Sequence, residues 1–279
     1  MSGPLLKVDN LRVSFPSPDG PTEVVKGVSF AMGRERLGIV GESGSGKSLT
    51  GRAILRLIRP PGRVTADRIA FDGTELTGLS GRKMRAIRGA RISMVMQDPK
   101  FSLNPVMTMG DQIAEALTVH GARMSRAKLR SRVLEMLEKV RINDPERVMQ
   151  MYPHEVSGGM GQRVMIAMML IPEPDLLIAD EPTSALDVSV EAQVMDLIND
   201  LIVQNGMGLI LISHDLDLVA RYCDHVLVMN AGEVVESFDA VNMAAAQHPY
   251  TKGLLAAAPR MNETREFLPV LDRSAWEGT

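Results

Sequence analysis

The residues best suited to chemistry lie in a glycine-rich loop, Gly41-Glu-Ser-Gly-Ser-Gly-Lys-Ser48. The loop follows the apolar run 37–40 and precedes a helix-compatible stretch, so the sequence predicts a strand, a tight loop and a helix in that order. Glycines let backbone N–H groups point into such a loop, and the start of the following helix favours anions. The pattern therefore predicts a site for the phosphates of ATP or GTP.

Each position of this phosphate loop has an expected role. Lys47 would place a compact cation near the terminal phosphates, and the Ser48 hydroxyl would hold Mg²⁺. The other residues expected to contact the nucleotide are Gly41, Ser43, Gly44, Ser45, Gly46 and Leu49. A turn without a ligand is the alternative for an isolated glycine loop, and the flanking strand and helix weigh against it.

Two carboxylates end the apolar run 176–179. Asp180 and Glu181 follow this run directly, and in a parallel sheet the carboxyl ends of strands lie where a phosphate loop would also lie. Asp180 suits Mg²⁺, usually through the water shell of the ion, and Glu181 suits the polarisation of an attacking water. A solvated acidic strand end is the alternative, which a phosphate loop in the same sheet disfavours.

The elements around these residues predict an α/β core with a parallel sheet and a β-rich N-terminal part. Strands are expected at 5–15, 24–31, 68–71, 92–96, 176–179, 209–212, 225–230 and 233–237. Helices are expected at 47–58, 81–87, 110–119, 126–140, 158–170, 188–204, 239–246 and 249–258. From about residue 100 to 170 apolar residues recur at three- and four-residue spacing, which predicts a helical lobe inserted in the core.

Composition limits the class of protein without choosing its ligand. A chain of 279 residues can form one large domain or two modest ones, and its net charge of −3 gives no indication of a surface that binds duplex nucleic acid. The single cysteine, Cys223, cannot form an intrachain disulfide, so a buried apolar role and a reducing cytosol are expected. The longest apolar run, 164–171, is too short to cross a bilayer, so other subunits are expected to provide any span.

Four further segments complete a specific set, and with the phosphate loop and the acidic pair they make the chain resemble the ATP-binding subunits of ABC transporters. They are Gln97 after the strand at 92–96, the turn Ser157-Gly158-Gly159 before a helix, the segment Ser184-Ala-Leu-Asp187, and His214 after the strand at 209–212. Alone, a glycine-bearing helix start or a strand-end histidine would be commonplace. Together and in this order, the segments are specific for that family. The implied fold is a P-loop NTPase core with a parallel sheet, an N-terminal antiparallel β-subdomain and an inserted helical subdomain.

The resemblance implies a role for each of these residues. Gln97 would reach Mg²⁺ or water, and His214 would contact the γ-phosphate, so both join Lys47 and Glu181 in the catalytic set. The turn at 157–159 would close over ATP held by the opposite subunit, and Asp187 would lie at the same nucleotide. Phe15 falls where the family has an aromatic ring that stacks on adenine, although a core role is a fair alternative.

Two local features resemble the subunits of oligopeptide, dipeptide and nickel importers: the segments 97–105 and 248–259. The implied organisation is an ABC ATPase domain at 1–260 and a C-terminal extension of the peptide-importer type at 239–279. The implied partners are a second, related ATPase subunit and two transmembrane permeases, with a periplasmic solute-binding protein acting indirectly. The expected location is the cytoplasmic face of a bacterial inner membrane, and the solute is a short peptide, nickel, an opine or a sugar conjugate.

Two other functions compete with transport. A soluble ABC ATPase of nucleic-acid repair or translation generally carries a long coiled-coil insertion or two cassettes, and the sequence predicts neither. A nucleotide-gated scaffold would bind ATP without turnover, and the presence of Glu181 and His214 argues against it. We therefore expect an ATPase coupled to solute uptake, with ATP and Mg²⁺ as its ligands and no nucleic-acid partner.

Overall fold

The computed structural model describes residues 3–96, 102–121, 123–184 and 186–257, apart from the side chains of Val188 and Ser189. The chain divides into two compact units. Unit 1 consists of Met1–Gly78 and Ile210–Thr279, and unit 2 of Leu79–Leu209. Unit 1 holds an antiparallel sheet from the N-terminal part of the chain, and a parallel strand pair occurs in each unit, which confirms the predicted α/β class.

The antiparallel sheet of unit 1 is built on a long hairpin. Its strands are β1 (Leu6–Ser17), β2 (Gly20–Met32), β4 (Arg63–Thr65), β5 (Arg68–Phe71) and β6 (Thr74–Glu75). The order is β2-β1-β5-β6, with β4 also paired to β1. The hairpin extends beyond the predicted strands, because Pro16 still pairs with Pro21 near its tip. This part of β1 lies past the residues that pair with β4 and β5. Proline lacks a backbone donor and is tolerated at such an edge.

The second sheet of unit 1 contains the strand that leads into the phosphate loop. Its strands are β3 (Arg36–Val40), β10 (His225–Asn230), β11 (Glu233–Asp239) and β9 (Gly208–Ser213), of which residues 210–213 belong to this unit, in the order β11-β10-β3-β9. β10 runs parallel to β3 and forms the predicted antiparallel hairpin with β11. Ala231 and Gly232 make the turn with positive φ angles of 46° and 92°.

The helices of unit 1 are shorter than the sequence predicts. Helix α1 (Lys47–Ile54) stops four residues before the predicted end, since Arg56 adopts a φ of 53° and the Leu57 N–H bonds back to the Arg52 carbonyl. This is the left-handed cap that ends many helices. The helix expected at 239–246 is a 3₁₀ helix over Ala240–Ala245, because β11 extends to Asp239 and leaves only six residues for it.

Unit 2 combines a parallel strand pair with helices. Its elements are β7 (Ile92–Val95), β8 (Leu176–Asp180), α2 (Gly81–Ile87), α3 (Met109–Thr118), α4 (Arg126–Lys139), α5 (Pro145–Val148), α6 (Gly158–Leu170) and α7 (Val188–Asn205). Short side chains cap five of the helices at their starts by accepting backbone N–H bonds. Helix α6 packs against α3 and β7, so the helices of the predicted lobe share this unit with β7 and β8, two strands that the sequence assigns to the core.

Two further helices of unit 1 follow β9 and the terminal hairpin. They are α8 (Leu216–Tyr222) and α9 (Pro249–Ala257). Across the described ranges, no helix combines the length and apolar character that a bilayer crossing needs. The sequence did not predict β4, β6, α5 or the 3₁₀ turn Pro153–Glu155, because each has at most four residues and carries little periodic signal.

Cys223 has the buried apolar role that the sequence predicts. The residue ends α8, and 6% of its surface is exposed. Burial raises the pKa of its thiol to about 12, since the apolar surroundings disfavour the thiolate. The thiol also lies beside Gly38 of β3, where a Cβ would come within 3.3 Å of its sulfur. Helix α8 therefore packs against the strand that leads into the phosphate loop.

We expect Gly38→Ala to lower the free energy of unfolding by about 1–3 kcal/mol, the usual cost of overpacking. The added Cβ would come within 2.2 Å of Val219 Cγ1, so α8 must move away from β3. Chemical denaturation of the full chain measures the change. The control is Gly78→Ala, where a Cβ meets nothing within 4 Å. Equal stability of the two variants would contradict the close approach of β3 and α8.

Candidate functional site

The phosphate loop joins β3 to α1, as the sequence predicts. Gly41, Gly44 and Gly46 have positive φ angles of 151°, 85° and 99°. A Cβ on Gly41 would lie 2.1 Å from the Met229 carbonyl oxygen, and one on Gly46 would lie 2.9 Å from the Val24 carbonyl oxygen. At Gly41 and Gly46 glycine is therefore required both by the backbone conformation and by the neighbouring main chain, and at Gly44 by the backbone conformation alone.

Lys47 begins α1 and is buried, with 4% of its surface exposed. Its ammonium donates hydrogen bonds of 2.8 Å to the carbonyl oxygens of Gly41 and Glu42. A buried ammonium needs such partners because it has left its hydration water. The carbonyls hold the cation against the loop, where it can meet the negative charge of a phosphate.

Ser45 adds a second buried polar group to the loop. Its side-chain oxygen is buried and has no hydrogen-bond partner among the described residues. Its backbone N–H donates to the Glu42 carbonyl at 3.2 Å, and its own carbonyl accepts from the Gly232 N–H at 3.1 Å. A buried hydroxyl without a partner in such a loop suits a binding site in which a polar ligand supplies the missing hydrogen bond.

The first turn of α1 contains the predicted Mg²⁺ ligand Ser48, with Leu49 beside it. Both residues are half-buried, and the first turn of α1 carries no acidic residue. The helix start therefore keeps the partial positive charge that attracts anions. Ser43 and Gly44, at the tip of the loop, are exposed and accessible to a ligand.

Phe15 lies in β1 and lines a cleft of about 510 Å³ together with Pro16, Pro60 and Gly62. One side of the ring is closed, since a Cβ on Gly62 would lie 2.7 Å from Phe15 Cε1. The ring is half-buried and borders open space elsewhere. This position is compatible with stacking on adenine and with the alternative packing role, so adenine stacking stays a prediction.

His214 follows β9 in unit 1 and is exposed. The next residue, Asp215, caps α8 by accepting from the N–H groups of Asp217 and Leu218 at 2.8 and 3.0 Å. The Asp215 N–H in turn donates to the Ser213 hydroxyl at 2.9 Å. His214 is thus held between a buried strand and a capped helix, which restrains its backbone while the imidazole stays accessible.

The acidic pair in unit 2 ends β8, whose residues are all buried. Asp180 is 2% exposed. Glu181 is half-buried and has a φ of 46°, a left-handed conformation that costs a non-glycine residue about 1–2 kcal/mol. The N–H and hydroxyl of Ser184 both donate to the Glu181 carbonyl. The chain therefore turns sharply at Glu181, a feature that the sequence did not predict.

Two side chains hold the turn after Glu181. Gln162 of α6 is 1% exposed, and its side-chain amide donates to the Pro182 carbonyl. The Thr183 hydroxyl donates to a carboxylate oxygen of Glu191 in α7 at 2.6 Å. Sequence reasoning missed Gln162, although a polar residue three and four positions before the apolar Met165 and Ile166 of the same helix is a signal that a specific partner is needed.

The turn Ser157-Gly158-Gly159 forms the start of α6. Ser157 is the N-cap, and its hydroxyl accepts from the Met160 N–H at 3.4 Å. Ser157 and Gly158 are exposed, and a Cβ on Gly158 would meet nothing within 4 Å. The first turn of α6 carries no acidic residue. This helix start can therefore offer its N–H groups to an anion that arrives from outside unit 2.

The remaining predicted residues have different positions. Asp187 is exposed and caps α7 with an extended backbone at φ −67° and ψ 148°, without a side-chain cap bond. Gln97 lies outside the described residues. Among the residues that are described, no group of three or more His, Cys, Asp or Glu side chains gathers as a metal site. The hydroxyl of Ser48 and the carboxylate of Asp180 are hard oxygen donors of the kind that Mg²⁺ prefers.

We expect Gln162→Met to lower the free energy of unfolding by about 1–3 kcal/mol. Methionine has a similar size but no donor, so the buried Pro182 carbonyl loses this hydrogen bond. Chemical denaturation measures the effect, with Gln150→Met as the control because Gln150 is exposed in the same unit. A variant as stable as the control would show that the bond to Pro182 does not stabilise the turn.

Known proteins resemble this chain both in sequence and in fold. The family model described as ABC transporter matches residues 25–184. The dipeptide transport ATP-binding protein DppD of Bacillus subtilis (strain 168) is 48% identical over 96% of this chain and 81% of its own length. The oligopeptide transport ATP-binding protein OppD of Salmonella typhimurium (strain LT2) is 46% identical over 95% of this chain and 80% of its own length.

Solved structures of ATP-binding cassettes have a similar fold. The dimeric post-hydrolysis state of the ATP-binding cassette MJ0796, bound to ADP and phosphate, has a TM-score of 0.75 and 26% identity. That comparison covers 84% of this chain and 98% of the solved chain. With a matching family model over more than half of its residues and relatives nearly half identical along most of its length, this chain belongs to the ABC transporter family of ATP-binding subunits.

Proposed function

We propose that this chain is the ATP-hydrolysing subunit of an importer of short peptides or a related solute. The observation that carries the proposal is the 48% identity to a dipeptide transport ATP-binding protein over 96% of the chain. That length includes most of the segment 248–259, which marks the peptide-importer type. Nickel, an opine or a sugar conjugate remains the alternative solute, because an ATPase subunit does not itself select the cargo.

ATP would bind with its phosphates in the loop between β3 and α1. The Lys47 ammonium and the start of α1 would face the negative charge, and Ser45 would gain a partner for its buried hydroxyl. Ser48 and Asp180 would hold Mg²⁺, which would neutralise phosphate charge when bound. Phe15 would stack on the adenine.

Hydrolysis would depend on Glu181 and His214. The Glu181 carboxylate would orient and polarise the attacking water, and the sharp turn at this residue would direct it away from the line of β8. His214 would contact the γ-phosphate from the end of β9. Gln97 completes the predicted set, but it lies outside the described residues. These roles would position the reacting groups and stabilise the charge that develops on the phosphate, which is how phosphoryl transfer is mainly accelerated.

The active form would be a pair of ATPase subunits. The exposed start of α6, with Ser157 and Gly158, would contact ATP held in the loop of the other subunit. Asp187 would lie at the same interface. The dimeric arrangement of the solved cassette MJ0796 supports this assembly. Closure around two ATP molecules would move the attached permeases, and hydrolysis would reopen the pair.

The remaining partners follow from the type of importer. The second ATPase is expected to be a distinct, related chain, and two transmembrane permeases would anchor the pair at the cytoplasmic face of the bacterial inner membrane. A periplasmic solute-binding protein would act on the far side without contacting this chain. Nucleic acid is not an expected partner, since the net charge of −3 provides no general attraction to it.

Co-purification tests this assignment. When this chain is expressed with its candidate second ATPase and permeases, we expect one complex whose phosphate release rises when the loaded solute-binding protein is added to reconstituted vesicles. Lys47→Ala, assembled in the same way, is the control that should abolish the rise. Stable association with nucleic acid instead of permeases would point to the repair or translation class.

We expect Glu181→Gln to lower steady-state ATP hydrolysis at least about 100-fold, a loss of about 2.7 kcal/mol of transition-state stabilisation. Glutamine keeps the size of the side chain but cannot polarise water as a carboxylate does. ATP affinity should stay near that of the wild type, whereas Lys47→Ala should weaken it. Phosphate release and equilibrium nucleotide binding measure the two effects. Near-wild-type turnover in Glu181→Gln would remove this residue from the catalytic set.

A further inference from the structure

Tyr250 connects the C-terminal helix to the phosphate loop. The residue lies in the second position of α9 and is completely buried. Its hydroxyl oxygen accepts a hydrogen bond of 2.9 Å from the backbone N–H of Glu42. Glu42 is the second residue of the phosphate loop, so a segment more than two hundred positions later in the chain contacts the loop directly.

The bond from Glu42 holds a peptide group that also binds Lys47. The peptide between Gly41 and Glu42 is trans, so its N–H and C=O point in opposite directions. The N–H bonds to Tyr250 at 2.9 Å, and the Gly41 carbonyl oxygen at the other side accepts from the Lys47 ammonium at 2.8 Å. Tyr250 and Lys47 therefore fix one peptide plane from its two ends.

This peptide needs an external restraint. Gly41 has a φ of 151°, in the region that residues with a side chain rarely adopt, and glycine resists rotation of the adjoining peptide less than any other residue. If the plane rotated, the Gly41 carbonyl would swing away from the ammonium. Lys47 would then lose a loop carbonyl that helps to set its position.

The tyrosine hydroxyl is itself held in place. The Tyr250 N–H donates to His248 Nδ1 at 3.2 Å, and the Lys252 N–H donates to the His248 carbonyl at 3.0 Å. The carboxylate of Glu236 in β11 accepts from the Gln247 N–H at 2.6 Å, just before α9 begins. The start of α9 is thus attached to β11, and the buried ring can present its hydroxyl at a fixed point.

We propose that Tyr250 is a positioning residue for the phosphate loop: it holds the Gly41–Glu42 peptide and, through the Gly41 carbonyl, the Lys47 ammonium in the geometry that binds ATP. The C-terminal helix therefore contributes to nucleotide affinity as well as marking the type of importer. The inference rests on the proposed binding of ATP at this loop. It adds a residue that touches neither the phosphates nor the attacking water.

The test is Tyr250→Phe in the full chain, which removes the hydroxyl and keeps the buried ring. We expect the dissociation constant for Mg-ATP, measured by displacement of a fluorescent ATP analogue, to rise about three- to tenfold, because ATP must then order the peptide itself. The melting temperature without nucleotide should stay within about 3 °C of the wild type. Binding is measured well below that temperature, so that all of the protein is folded.

The control is Thr251→Val, which removes the neighbouring buried hydroxyl of α9, a group with no hydrogen-bond partner among the described residues. Its ATP affinity should equal that of the wild type. Unchanged affinity in Tyr250→Phe, with or without a lower melting temperature, would show that the Tyr250 hydroxyl only attaches α9 to the loop, and this result would overturn the proposal. So would an equal loss in both variants. Failure of the wild type to bind ATP would instead overturn the proposed function, and this inference with it.

Discussion

The burial of the Lys47 ammonium is the constraint on which the proposed nucleotide site depends. A cation with 4% of its surface exposed cannot keep its hydration shell, so the loop must supply oxygen acceptors in its place. The carbonyls of Gly41 and Glu42 do so, and they can face inward only because the loop glycines adopt conformations that a side chain would prevent. The parallel pairing of β3 and β10 then places the loop against the Met229 carbonyl.

A similar constraint shapes the acidic end of β8. Glu181 holds a left-handed backbone that is unfavourable by itself and persists because its surroundings restrain it. Gln162 and Thr183 tie the following residues to α6 and α7. The helix that begins with the Ser157 turn therefore also supports the turn of the proposed catalytic carboxylate. Within unit 2, a substitution that shifts the start of α6 is therefore expected to alter the turn at Glu181, and a substitution at that turn is expected to alter the start of α6.

Local sequence was sufficient for the order and type of most elements and for the position of the glycine-rich loop between β3 and α1. The phosphate loop was predicted because glycine spacing, a preceding apolar run and a following helix are all short-range signals. Helix α6 was predicted with its observed bounds, since Ser157 is a strong cap and apolar residues recur along the helix. Membership of the ABC family followed from the order of the motifs, and the comparisons confirmed it.

Other features depended on contacts between distant residues. The sequence shows that Tyr250 is aromatic, but only the folded chain places its hydroxyl on the N–H of Glu42. Likewise, no local pattern marks the left-handed turn at Glu181 or the bond from Gln162 to Pro182. Sequence alone thus determined which groups are available for chemistry, because glycine, lysine and carboxylate have fixed properties. Tertiary structure decided how they are held, because the partners of a buried polar group are set by packing and not by proximity along the chain.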